Sequence, residues 1–230
     1  MRILCAFVAA SVIVIQGVAL GASGSSAPVP AAPPGASPMS KPTPEQEAAQ
    51  RYNSGLKHQE KADALARQAA GETSDVKKRD KLEASAMKEY EKARKDFLVA
   101  TERNPRMHQA HGALGYVYRR TGDHAAALKS YDQALGLAPD YTPAIEYRAE
   151  AYLGLDRIEE AKQGYIQLFP NDRARADELL AAMKSWVEKR KADPGKLTPD
   201  AVQEFAGWVE ERTAIANQTP SVSELQNRKW

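Results

Sequence analysis

The sequence predicts an all-α fold: an α-α superhelix of about three stacked helix pairs, the first elongated, closed by C-terminal capping helices. Three observations carry this. Small and aromatic residues recur with a period of 34, apolar residues inside each period fall at helical spacing, and Gly, Asp, Thr and Pro stand where helices must start and stop. With 230 residues, 43% apolar and 27% charged, the chain has enough apolar surface for a core. Its formal charge of +2 carries no basic excess of the kind that marks a nucleic-acid partner.

The N-terminal segment, residues 1–21, reads as a secretory signal peptide. Arg2 precedes an apolar run from Ile3 to Ile15 broken only by Ser11, and Ala19 and Gly21 form a small-x-small cleavage site. The expected location is therefore periplasmic or secreted, with membrane attachment only if this segment is retained. The one cysteine, Cys5, lies inside it, so a processed chain has no thiol for a disulfide, a nucleophile or a metal site. Residues 22–43 are rich in Pro, Ala and Ser, and the stretch from Ala22 to Pro44 holds seven of the fourteen prolines. That composition cannot bury a face and predicts a disordered linker tending to polyproline II, reaching roughly 60–70 Å when extended.

The helical repeat domain is expected over residues 44–170. Ala93, Ala127 and Ala161 stand 34 apart, as do Phe97, Tyr131 and Tyr165. Ala100 with Ala134, Pro105 with Pro139, Tyr118 with Tyr152, and Gly115 with Ala149 keep the same step. In the first unit, Gly55 matches Gly115 at a distance of 60 residues, 26 more than the period, so each helix is lengthened by about 13. The spacing predicts a projecting hairpin of about Pro44–Ala70 and Asp75–Arg103. Thr43 and Gln46 form a capping box at its start, Gly71 is the stop at its tip, and Ser74 or Asp75 caps the return helix.

In the second unit Leu114, Gly115 and Tyr118 share a face of one helix. Thr121-Gly122-Asp123 breaks that helix, and Ala127, Tyr131 and Ala134 form the inner stripe of the next. Neither face is buried by one helix alone, so the units must stack. The third unit, about Thr142 to Phe169, starts with Thr142 as cap and Pro143 in the first turn, and ends early at Pro170. Residues 171–217 read as a helical cap. Asn171 or Asp172 starts its first helix and Thr198-Pro199 its second, with Leu179, Leu180, Met183, Trp186 and Val187 facing Val202, Phe205, Trp208 and Val209. Residues 218–230 form a tail.

The pattern Leu114-Gly115-x-x-Tyr118, Ala127, Tyr131, Ala134 and Pro139 resembles the tetratricopeptide repeat, with His111 in place of that family's leading tryptophan. The resemblance implies a binding module that holds another protein or peptide in a groove lined by the first helix of each unit. Carried over residue by residue, the groove presents Tyr52, Asn53 and Leu56 from the first unit. Gln109, Tyr116, Arg119 and Arg120 come from the second, and Glu146, Tyr147 and Glu150 from the third. The family's chaperone-tail binders use a Lys/Asn clamp for a terminal carboxylate, and that set is not found here.

Nothing in the chain predicts catalysis. It has no glycine-rich phosphate loop, nucleophile elbow or supportable Ser–His–Asp arrangement. His108 and His111 share a helix face, but two imidazoles without a third ligand do not make a metal site. We therefore expect no cofactor, no metal and no enzyme, but an adaptor or assembly factor. The alternative is a structural scaffold that oligomerises through the long hairpin or cap, or is tethered through an uncleaved N-terminus.

Overall fold

A computed structural model describes residues 41–219, and within them the chain is eight helices joined by short turns, with no strand. The expected signal segment, most of the linker and most of the tail lie outside the described residues. The helices are α1 (Pro44–Gly71), α2 (Val76–Arg103), α3 (His108–Arg120), α4 (His124–Leu137), α5 (Thr142–Gly154), α6 (Ile158–Asn171), α7 (Arg173–Ala192) and α8 (Pro199–Gln218). Each packs against the next in the chain, and α1, α3, α5 and α7 also touch in sequence.

The first hairpin is two 28-residue helices. Its seam is made by small residues every seventh position: Ala48, Gly55, Ala62 and Ala69 on α1, against Ala86, Ala93 and Ala100 on α2. A seven-residue repeat keeps one narrow stripe facing its partner, and small side chains let the backbones close up. Tyr90 and Phe97 are the large buried groups between them, at 2% and 0% exposure. The capping box at Thr43 and Gln46 forms as expected. The tip differs from expectation. Gly71 is the last helical residue and does not supply a left-handed stop; the turn is held by Glu72, whose carboxylate accepts from Ser74 N, Ser74 Oγ and Asp75 N. Hydrogen bonds from Lys78 and Ser74 hold that carboxyl down at about 2. Asp75, not Ser74, caps α2.

The repeat columns acquire a steric meaning. A Cβ on Gly55 would sit 2.5 Å from the Phe97 ring, and one on Gly115 would sit 2.6 Å from Tyr131. In both units a glycine on the first helix makes room for an aromatic on the second. The third unit reverses the arrangement: the first helix carries Ala149, and Gly164 on α6 gives way, with 2.6 Å between its would-be Cβ and that of Ala149. The turns also repeat. Gly122 and Asp156, again 34 apart, are both left-handed, at φ 87° and 58°. Each closes its helix by a hydrogen bond from the following N–H to the carbonyl five residues back, Asp123 to Tyr118 and Arg157 to Tyr152.

One start and one stop depart from the expected positions. Tyr141, not Thr142, precedes α5, because the Thr142 hydroxyl donates to Asp172 at 2.7 Å instead of capping its own helix. Pro170 does not end α6, which continues to Asn171. In the last turn one backbone bond is lost, the one a residue at 170 would have donated to the Ile166 carbonyl, and Ile166 is 52% exposed. Asp172 then closes α6 and caps α7 through Arg175 N, so the two helices are joined by a single residue.

The last hairpin packs as expected for a cap. Leu179, Leu180, Met183 and Val187 join Phe205, Ala206 and Val209 in one core with α5 and α6. Trp186 donates to the Leu153 carbonyl at 2.7 Å, tying α7 to the end of α5, while Trp208 stands edge-on to Tyr165 at 5.5 Å. Both tryptophans are packing groups with one polar tether. No helix among the described residues is long and apolar enough to cross a membrane.

Candidate functional site

The row of first helices forms a groove whose floor is a small cleft of about 100 Å³ between α1, α3 and α5. Tyr52, Leu56 and Gln59 enter it from α1. Gly112, Ala113 and Tyr116 come from α3, and Tyr141, Ala144 and Tyr147 from the start of α5. The cleft exists because α3 has no side chain at 112: a Cβ there would sit 2.9 Å from the Tyr141 ring. His108 packs edge-on against the other side of that ring at 4.9 Å.

Three ion-pair brackets border the cleft. Asp63 on α1 accepts from the hydroxyls of Tyr90 and Tyr116, the latter at 2.8 Å, and lies 3.4 Å from Arg120. Arg120 also donates to the Tyr116 hydroxyl at 3.1 Å and covers the Tyr90 ring at 5.3 Å. Burial first, then the bond to Asp63, pushes the Tyr90 phenol well above its usual value. Arg119 pairs with Glu150 across α3 and α5 and lies 5.0 Å over Tyr147 and 5.3 Å over Tyr116. Tyr116 and Tyr147 meet edge-on at 5.1 Å beneath it. Arg175 on α7 pairs with Glu146 and sits 5.8 Å from the Tyr147 ring. Glu146 is 2% exposed, and burial raises its carboxyl to about 7 against the opposing pull of Arg175. Burial likewise raises Glu150, opposed by Arg119 and Arg120.

Of the residues expected along the groove, Tyr52, Leu56, Tyr116 and Tyr147 line the cleft, and Arg119, Arg120, Glu146 and Glu150 make its brackets. Asn53 is exposed on α1 and Gln109 half-buried on α3, and neither lines the cleft. The arginines differ from the expected anchors in one respect: all are engaged with carboxylates of the same groove. Asp63, Gln59, Tyr141 and Arg175 were not anticipated. Tyr141 precedes its helix and Arg175 belongs to the cap, so a reading confined to the first helices of three units passes over both. A signal for Arg175 existed: the buried Ala110, Ala144 and Ala176 mark α3, α5 and α7 at steps of 34 and 32, the second shortened by the single-residue joint.

His111 donates from Nε2 to the Pro105 carbonyl at 2.9 Å, which ties the α2–α3 turn to α3. No group of three or more His, Cys, Asp or Glu side chains with metal-binding geometry occurs among the described residues.

The family model for the tetratricopeptide repeat matches residues 82–142, from the second turn of α2 to the start of α5, and supports the repeat resemblance over that stretch. Among curated proteins, Hsp70-Hsp90 organizing protein 3 of Arabidopsis thaliana is 26% identical over 137 residues, 59% of this chain and 23% of that protein. The chain thus spans about a quarter of the length of the relative it matches. Among solved structures, the first TPR of Spaghetti (RPAP3) bound to the HSP90 peptide SRMEEVD is similar at 21% identity and a TM-score of 0.40, covering 58% of this chain and 94% of that one.

Proposed function

We propose that this chain is an exported, non-enzymatic adaptor or assembly factor of the cell envelope that holds another protein or peptide in the groove between α1, α3 and α5. The observation that carries the reading is the tyrosine-walled cleft. Half-buried aromatic rings around a glycine-made gap are the surface on which a few anchoring side chains of a partner bury most effectively. The three brackets hold those rings in place before any partner arrives, which lowers the ordering cost of binding. The repeat match and the name of the curated relative, an organizer of two other proteins, support protein binding as the class of function. The envelope location is supported by the composition of residues 1–21 and by the Pro-rich stretch after them.

The test is capture from an envelope extract by the tagged chain and by its Leu56→Asp variant. Leu56 is 36% exposed and lines the cleft, so the charge enters the groove without entering the core. Specific partners are expected to be lost from the variant while its melting curve is unchanged; equal capture by both refutes the groove. Mass spectrometry of the exported chain is expected to give a start at Ala22, and a start at Met1 refutes processing. The second reading, an oligomerising scaffold, draws on the shallow cleft across α7 and α8 that contains Val187 and Val209. A concentration-independent monomer in light scattering would remove it.

A further inference from the structure

Every residue that lines the cleft between α1, α3 and α5 is uncharged, although the groove around it is dense with charge. The bordering arginines are already matched: Arg119 to Glu150, Arg120 to Asp63, Arg175 to Glu146. An acidic tail entering here would meet three carboxylates whose cations are engaged, and a basic one would leave the apolar floor unused. Charge complementarity therefore selects a neutral segment at this point of the groove.

Its hydrogen-bonding needs narrow the choice further. The hydroxyls of Tyr52 and Tyr141 make no hydrogen bond to a described residue, and neither is among the fully buried unpartnered groups. Both residues line the cleft, so these donors are available to whatever fills it. The Gln59 Oε1 is buried and finds no donor among the described residues. A fitting occupant offers free backbone carbonyls, at least one free backbone N–H, and flat apolar groups for the tyrosine faces. A helix satisfies its own N–H and C=O groups and meets none of the polar requirements. A polyproline II segment has no internal hydrogen bonds, is already extended before binding, and stacks its pyrrolidine rings on aromatic side chains.

We propose that this cleft takes an uncharged, proline-rich segment in the polyproline II conformation, with non-proline residues between its prolines to supply the N–H for Gln59. The inference rests on the groove reading above and names the class of partner it accepts. Tyr116 and Tyr147 hold the ring faces edge-on to each other, Tyr52 and Tyr141 donate to successive carbonyls, and Gly112 keeps the floor low enough for one ring at a time.

The experiment uses fluorescence anisotropy with three labelled, end-blocked peptides. One is a copy of residues 27–40, which contains five prolines and no charge; the second has serine at each proline; the third is SRMEEVD. The receptor is the full-length chain with Pro28, Pro30, Pro33, Pro34 and Pro38 changed to serine, so that the added peptide is the proline-rich ligand in the tube. The proline peptide is expected to bind at least tenfold tighter than its serine copy. Leu56→Asp in the receptor is expected to remove at least tenfold of that affinity, and Tyr141→Phe severalfold, with melting curves unchanged. Equal binding of the proline and serine peptides, or no binding of either, overturns the proposal. If SRMEEVD binds instead and Leu56→Asp abolishes it, the proline class is wrong and the groove stands. If no peptide shows any dependence on Leu56, the proline proposal falls, and the groove itself is decided by the capture comparison between the wild-type chain and Leu56→Asp.

Discussion

Gly115→Ala separates the steric account of the repeat from a merely statistical one. The added methyl would lie 2.6, 2.7 and 3.0 Å from three atoms of the Tyr131 ring, whose side chain is fully buried. Ordinary carbon contacts lie near 3.5–4.0 Å, so the ring or the α3–α4 spacing must shift by about 1 Å. Overpacking of this kind costs about 1–3 kcal/mol. Replacing a mid-helix glycine by alanine returns up to about 1 kcal/mol of helix propensity. The net expectation is a loss of up to about 2 kcal/mol, which for a chain of this length lowers Tm by up to roughly 8 °C. Urea and thermal unfolding followed by circular dichroism read it directly. Gly207→Ala in α8 is the matched control, because its Cβ meets nothing within 4 Å; that variant is expected to gain stability. Tyr131→Leu in the Gly115→Ala background removes the ring edge, and the two changes together are expected to cost less than their sum. If Gly115→Ala is as stable as Gly207→Ala, the glycine column does not serve helix approach and the reasoning fails.

Three further outcomes are expected. Gly164→Ala destabilises through the Ala149 methyl, and Ala149→Gly in the same chain restores most of the loss by returning the small residue to the helix it occupies in the other two units; urea midpoints of the two single variants and the double variant check it. Glu146, raised to about 7 by burial, binds its proton more tightly in the native than in the unfolded chain. Its favourable contribution is full below about 4.5 and is lost as pH rises through about 7. Relative to Glu146→Gln, the wild type is expected to lose up to about 3 kcal/mol between pH 5 and pH 8, read from urea midpoints at the two pH values. Asp63→Ala leaves the Tyr90 and Tyr116 hydroxyls and Arg120 without their shared acceptor, and is expected to cost about 2–3 kcal/mol in equilibrium unfolding.

The architecture was legible because a 34-residue period is local information. Ala127, Tyr131 and Ala134 recur at helical spacing whatever surrounds them, and Asp123, Asp75 and Thr198 cap their helices by bonds three residues away. The misplaced boundaries have non-local causes. Thr142 has the chemistry of a cap, yet its hydroxyl is taken by Asp172, thirty positions on. Pro170 reads as a stop, yet the last turn of a helix tolerates it. The cleft was half legible: tyrosines and small residues on the first helices were visible, but which arginines were free was not.

The sequence by itself determined the helix pairs, their period, the elongated first hairpin and the chemical types available to a groove, because propensity, capping and periodicity act within a few turns of the chain. Only the tertiary structure decided that Arg119, Arg120 and Arg175 are bound by Glu150, Asp63 and Glu146, and that an uncharged gap remains between the tyrosines. Pairing across helices depends on distances between residues about thirty to sixty positions apart in the sequence, and no local pattern fixes those.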